Sequence, residues 1–148
     1  MNLWDTHFTL EEISCPCCRE AWPDLFVNPI YREFFLDLEA LRTEFGKPLP
    51  ISRGGGARCP GYQLSLYNQG KTSALVSPHL FLAVDIDLPD REETLRFAAA
   101  VESCFPEMRM GVRQYLDRGQ SFVHLDRAYL VQPKTIGTGA AWARGVRW

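Results

Sequence analysis

A chain of 148 residues has the length of a single domain, 1–148, and enough material to build its own core. Hydrophobic residues at 46% and charged residues at 23% are ordinary globular values, and no apolar run is long enough to span a bilayer. A net charge of −2 argues against a general nucleic-acid binder, and MNLWDTHFTLEE lacks the basic-then-apolar plan of a secretory signal. The reading therefore expects no nucleic acid, no membrane and no signal-directed export.

Along the chain, Thr9 to Glu12 has capping-box form and predicts a short helix. Asn28-Pro29 is a cap followed by a first-turn proline. After it Tyr31, Phe34, Leu38, Leu41 and Phe45 recur at helical steps until Gly46 and Pro48 stop the pattern. Leu49–Ser52 is a short strand candidate leading into the loop RGGGARCPGY, with a second helix over Pro60–Asn68. A third helix is expected over Asp90–Cys104, capped by Asp90 with Glu93 and stopped near Pro106. Strands are expected over Leu82–Leu88, Met110–Leu116 and Ser121–Leu125, the last reaching towards Asp126. From Pro106 onward seven Lys/Arg stand against three Asp/Glu. That excess fits a solvated surface or attraction for an acidic substrate.

Five cysteines, Cys15, Cys17, Cys18, Cys59 and Cys104, with no export signal, suggest thiols made in a reducing compartment. Cys15 and Cys18 form a Cys-x-x-Cys pair, and Cys59 and His7 are available to extend it. No second paired motif is present, so plain buried or free thiols stand ahead of a metal knuckle.

The stretch SPHLFLAVDID (77–87) poses a sharper question, because two aspartates interrupt an apolar run where unpaired carboxylates are costly. In a strand, side chains alternate between faces. Leu82, Val84, Ile86 and Leu88 then share the core face, and Ala83, Asp85 and Asp87 the other. The same rule puts Phe122, His124 and Asp126 on one face of SFVHLD. If the two strands are neighbours, Asp85, Asp87, His124 and Asp126 line one cleft and His79 enters from the preceding loop. Two imidazoles and one carboxylate are the ligand set of an open catalytic zinc site. The plain alternative is a loop histidine, a half-buried strand histidine and aspartates on a wet sheet face. Spacing alone leaves that alternative ahead, because three ligands spread over 46 residues form no compact motif.

Several stretches occur together in one order: HFTLEEISCPCC, LEALRTEFGKPLPIS, ARCPGY, SPHLFLAVDID, FVHLD and ARGVRW. On them the chain resembles the zinc D-Ala-D-Ala carboxypeptidase and L-alanyl-D-glutamate endopeptidase family. That family includes many phage endolysins and shares its fold with the hedgehog signalling domain. The resemblance implies an α+β fold with helices packed on one side of a small antiparallel sheet. It implies Zn2+ held by His79, an aspartate of AVDID and His124, and it matches Arg58 to an arginine that contacts the substrate near the metal. The Ala-Val-Asp wording selects Asp85 as the ligand, with Asp87 supporting it.

Two departures from the family pattern bear on this. Five residues separate His79 from Asp85 and no glycine follows Phe81, whereas six and a glycine are usual, so the loop looks one residue short. Ser121 stands where relatives often carry an acidic or histidine base. Asp126 is the expected substitute, as base or as partner of His124, with Asp117 behind it.

The resemblance implies metal-assisted hydrolysis of peptide bonds in peptidoglycan stem peptides by a monomer. Such an enzyme waits in the host bacterial cytoplasm before release to the wall, or rides in the virion. Two other readings remain: a catalytically impaired wall-binding or phage structural module on the same fold, and an interaction protein built on a thiol zinc knuckle.

Overall fold

Capping chemistry sets where the helices begin. A computed structural model describes residues 1–132 and 143–148 of the chain. Thr9 and Glu12 form the reciprocal capping box that opens α1 (Leu10–Ile13). Asn28 Oδ1 accepts the Ile30 N–H at 3.0 Å and starts α2 (Pro29–Phe45). Gly46, at φ +77°, closes that helix by donating its N–H to Arg42 O, a conformation glycine adopts without a Cβ penalty. Further on, α3 (Pro60–Asn68) leads through a loop to a 3-10 turn, Pro78–Leu80, and then β1 (Ala83–Asp87). Asp90 caps α4 (Arg91–Cys104), accepting the Glu93 N–H at 2.8 Å. β2 (Arg109–Gly111), α5 (Arg113–Leu116), β3 (Phe122–Asp126) and α6 (Ala128–Val131) complete the described elements. None of the described helices is long and apolar enough to cross a membrane.

The result is an α+β arrangement around a small antiparallel sheet ordered β1-β3-β2. Alternation divides β1 and β3 as the sequence pattern requires. Val84, Ile86, Val123 and Leu125 are fully buried in one cluster with Phe34, Leu38 and Leu41 of α2 and Phe97 and Val101 of α4. The two helices meet edge-on through Phe45 and Phe97, whose ring centroids lie 5.3 Å apart. The opposite face carries Asp85 directly across from His124, Ala83 across from Asp126, and Asp87 across from Phe122.

Two expected strands change on folding. Leu49–Ser52 makes a single antiparallel bridge, Ile51 to Ile86, rather than a strand. Its backbone and the loop after it still cover the free edge of β1, because Asp87 N–H donates to Pro50 O at 2.9 Å, Ser52 N–H to Asp85 O at 3.0 Å and Asp85 N–H to Gly55 O at 2.7 Å. The expected strand Met110–Leu116 ends at Gly111. The carbonyl of Trp148 takes the N–H groups of Val112 and Arg113, while Tyr115 and Leu116 both donate to Val112 O. Those bonds wind Arg113–Leu116 into a helical turn and place Tyr115 beside the cleft. Lys134, one of the basic residues counted in the C-terminal third, lies outside the described residues.

Candidate metal centre and cleft

His79 is held from several directions. Ser77 Oγ accepts its N–H at 3.3 Å, and its carbonyl takes the Trp22 indole N–H and the Arg58 N–H, both at 3.0 Å. Its Nδ1 lies 2.8 Å from Gly56 O. A carbonyl only accepts, so Nδ1 carries the proton and Nε2 presents a lone pair. Gly56 reaches this position because it has no side chain: a Cβ there would sit 2.5 Å from Ile13 O. The chain from His79 to β1 passes through the 3-10 turn, where Leu82 N–H bonds back to Pro78 O at 2.9 Å.

The Nε2 lone pair of His79 faces Asp85 Oδ2 at 3.2 Å. Across the strand pair, His124 Nδ1 lies 2.9 Å from Asp85 Oδ1, and its Nε2 lies 2.7 Å from Asp126 Oδ2. One donor atom each from His79, Asp85 and His124 falls within 4.8 Å of the others, and all three residues are buried. A buried carboxylate and two imidazoles so arranged place acceptor against acceptor unless a positive charge lies among them. Acidities follow the same logic. Burial depresses His79 below the usual histidine range, helped by Arg58 and His124 and opposed by Asp85. Burial also acts to lower His124, but the Asp126 and Asp85 carboxylates outweigh it and push the imidazole up to about 9. For Asp85, burial would push the carboxyl pKa up, yet its two histidine neighbours hold it well below the usual carboxylate range. The cluster therefore recruits positive charge, and a divalent cation liganded by Asp85 Oδ, His79 Nε2 and His124 Nδ1 fits it.

Arg58 closes one side. Its Nε donates to Gly54 O at 2.8 Å and its Nη1 to Gln63 Oε1 at 3.1 Å, which leaves Nη2 3.6 Å from Asp85 Oδ2. Gln63 is itself anchored by donating to Ala74 O at 2.8 Å. The guanidinium is thus fixed in orientation before any ligand arrives.

Asp126 lies beneath the site. It is fully buried, its Oδ1 accepts the Ala128 N–H at 3.2 Å, and Arg109 Nε is 3.8 Å away. Of the two roles open to it, base or partner of His124, its position behind the imidazole fits the second, and it does not line the cleft. Asp117 is exposed and borders a separate groove with Arg113 and Leu116. Asp87 is exposed and accepts the Ser52 hydroxyl at 2.6 Å, away from the three converging groups. Among the described residues that line the cleft, Asp85 is the only one with an acidic side chain.

The cleft has a volume of about 520 Å³ and is bordered by Arg58, Lys71, Arg109 and Arg118 as well as the three converging groups. Sequence reasoning missed three features of its wall. Tyr115 stacks on Phe122 with centroids 4.1 Å apart, and burial pushes its phenol up, so it remains a donor at neutral pH. Trp148 packs 5.3 Å from the His124 ring, and the Arg109 guanidinium lies 4.7 Å from the Trp148 ring centre. Gly111, opposite His124, makes room for that indole, since a Cβ there would meet Trp148 Cε2 at 2.6 Å. The Met-Gly-Val stretch and the terminal tryptophan were the available signals, but nothing local in either links them to His124.

Comparison of the chain with family models, with curated proteins and with solved structures gives no match. The chemistry of the site is accordingly read from its own geometry.

Proposed function

We propose that the protein is a zinc-dependent peptidase acting on peptidoglycan stem peptides, on a fold of the hedgehog and DD-peptidase type. One observation carries this reading: a ring nitrogen from each of two imidazoles and a carboxylate oxygen converge at the wall of an open cleft. Two donors on one tetrahedral zinc stand roughly 3.3 Å apart, given bond lengths of about 2.0–2.1 Å. The separation of 3.2 Å between His79 Nε2 and Asp85 Oδ2 and that of 2.9 Å between His124 Nδ1 and Asp85 Oδ1 are close to this value.

His79, Asp85 and His124 would hold the zinc, which when bound would polarise a carbonyl and make its water acidic enough to attack at neutral pH. The chain's own residues do the rest. The Gly56 carbonyl and the Asp126 carboxylate fix the tautomers of His79 and His124 and aim their free nitrogens. Arg58, pinned by Gly54 and Gln63, orients an anionic peptide group and stabilises negative charge on the carbonyl oxygen. The Tyr115 phenol is a second donor on the same wall. Cationic side chains around the cleft favour a peptide rich in carboxylates, as stem peptides are.

The absence of a second acidic side chain among the described residues lining the cleft favours one competing reading, a wall-binding module that holds metal without turning over substrate. Incubating the zinc-loaded protein with purified sacculi separates the two. The peptidase reading expects soluble stem-peptide fragments by mass spectrometry, lost with a chelator and restored by zinc. Sedimentation with sacculi and no released fragments would replace it with the module.

A further inference from the structure

Away from the residues that line the cleft lies a second convergence of ligand atoms, made of sulfur. Cys15 and Cys18 sit on a tight turn closed by the Arg19 N–H to Cys15 O at 2.8 Å, with Arg19 itself at φ +64°. Cys59 arrives from elsewhere in the chain as the cap of α3, where its Sγ accepts the Tyr62 N–H at 3.4 Å. The three sulfurs lie within 4.8 Å of one another. Cys17, exposed on the same turn, directs its thiol at that of Cys59.

The backbone around Cys15 is arranged for a thiolate. The Cys59 N–H donates to Cys15 Sγ at 3.4 Å, and the N–H groups of Cys17 and Cys18 point at the same sulfur. A turn that aims successive amides at the first sulfur of a Cys-x-x-Cys pair, with a third cysteine brought in by the fold, matches the needs of a soft, tetrahedral, structural ion.

We propose that Cys15, Cys18 and Cys59 hold a second zinc ion, with Cys17 completing its coordination. Its place in the fold gives it a task. The N-terminal segment and the glycine loop meet here, joined by the Ala57 N–H to Ile13 O at 2.7 Å. Cys59 directly follows Arg58, and Gly56 supplies the carbonyl that orients His79. A zinc bridging the CPCC turn to Cys59 therefore clamps the loop that presents both groups to the cleft.

The test does not depend on catalysis. Cobalt(II) is titrated into reduced, chelator-treated protein carrying His79→Ala, which removes the cleft site, and thiolate-to-cobalt charge-transfer absorption is recorded in the near ultraviolet. One equivalent with that absorption is the expected result. Adding Cys59→Ser or, at an exposed position, Cys18→Ser abolishes the band, while Cys17→Ser weakens binding without abolishing it. A folded His79→Ala protein, judged by circular dichroism, that takes up cobalt with no such band would overturn the proposal. So would an intact mass showing that Cys15, Cys18 or Cys59 is locked in a disulfide in protein purified without oxidant. Absence of wall hydrolysis by the zinc-loaded protein with His79 intact, alongside this band, would count only against the peptidase reading.

Discussion

The two faces of the β1/β3 pair are built from alternate residues of the same ten positions, and both are buried except at the Asp87–Phe122 end of the polar one. One face holds Val84, Ile86, Val123 and Leu125 against α2 and α4. The other holds Asp85, His124 and Asp126, each at most 9% exposed. Burial alone therefore does not distinguish core from site. The apolar face gains from leaving water in proportion to its area, and any close-packed replacement of similar volume serves it. The polar face loses by leaving water, and holds only because each charged atom finds a partner. Substitutions on the two faces should fail in different ways.

Ile86→Ala, on the apolar face, should cost about 2–5 kcal/mol of stability from lost transfer energy and the cavity left behind. Chemical denaturation should report that loss while the folded fraction keeps its full metal content. A change in metal content without loss of stability would mean that the two faces are not separable.

On the polar face, Arg58→Ala should leave metal content unchanged and lower turnover roughly a hundredfold, the usual consequence of losing one donor to developing negative charge. Steady-state kinetics on a defined stem peptide measures this, and loss of metal would show that Arg58 holds the centre together rather than the substrate. Asp126→Asn keeps the shape but weakens the partner of His124 Nε2, so zinc affinity should fall about 10–100-fold. Competition against a chelator of known affinity reads it; an unchanged affinity with abolished turnover would return Asp126 to the role of base. Asp87→Asn should be nearly silent, costing about 1 kcal/mol or less through its bond from Ser52. A thermal melt and a metal assay together check that.

How much of this was legible in the sequence varies with the range of the forces involved. Caps at Thr9, Asn28 and Asp90 are local chemistry and stand where the motifs put them. The division of β1 and β3 into faces follows from alternation, so the meeting of Asp85 with His124 required only that the strands pair. Two things were not legible. The fate of residues 112–116 is set by the chain terminus crossing from 36 residues away to occupy the Val112 amide, which no window around Tyr115 contains. Likewise, the three glycines of RGGGAR mark only a loop in the sequence, whereas Gly56 is there for close approach to Ile13, and its carbonyl sets the tautomer of His79. The cysteines occupy a middle case. The Cys-x-x-Cys pair was visible, but its third partner was fixed only by the fold, and His7, the other recruit considered, instead bonds Glu39.

The most direct test of the central claim, a cation held by His79, Asp85 and His124, is zinc content per chain in wild type, Asp85→Asn and Asp87→Asn, purified in parallel and reconstituted with excess zinc before desalting. Taking the difference from wild type cancels any zinc bound at the cysteines. Asp85→Asn is expected to lose about one equivalent and Asp87→Asn none. Full retention in Asp85→Asn, or loss in Asp87→Asn instead, would contradict the assignment.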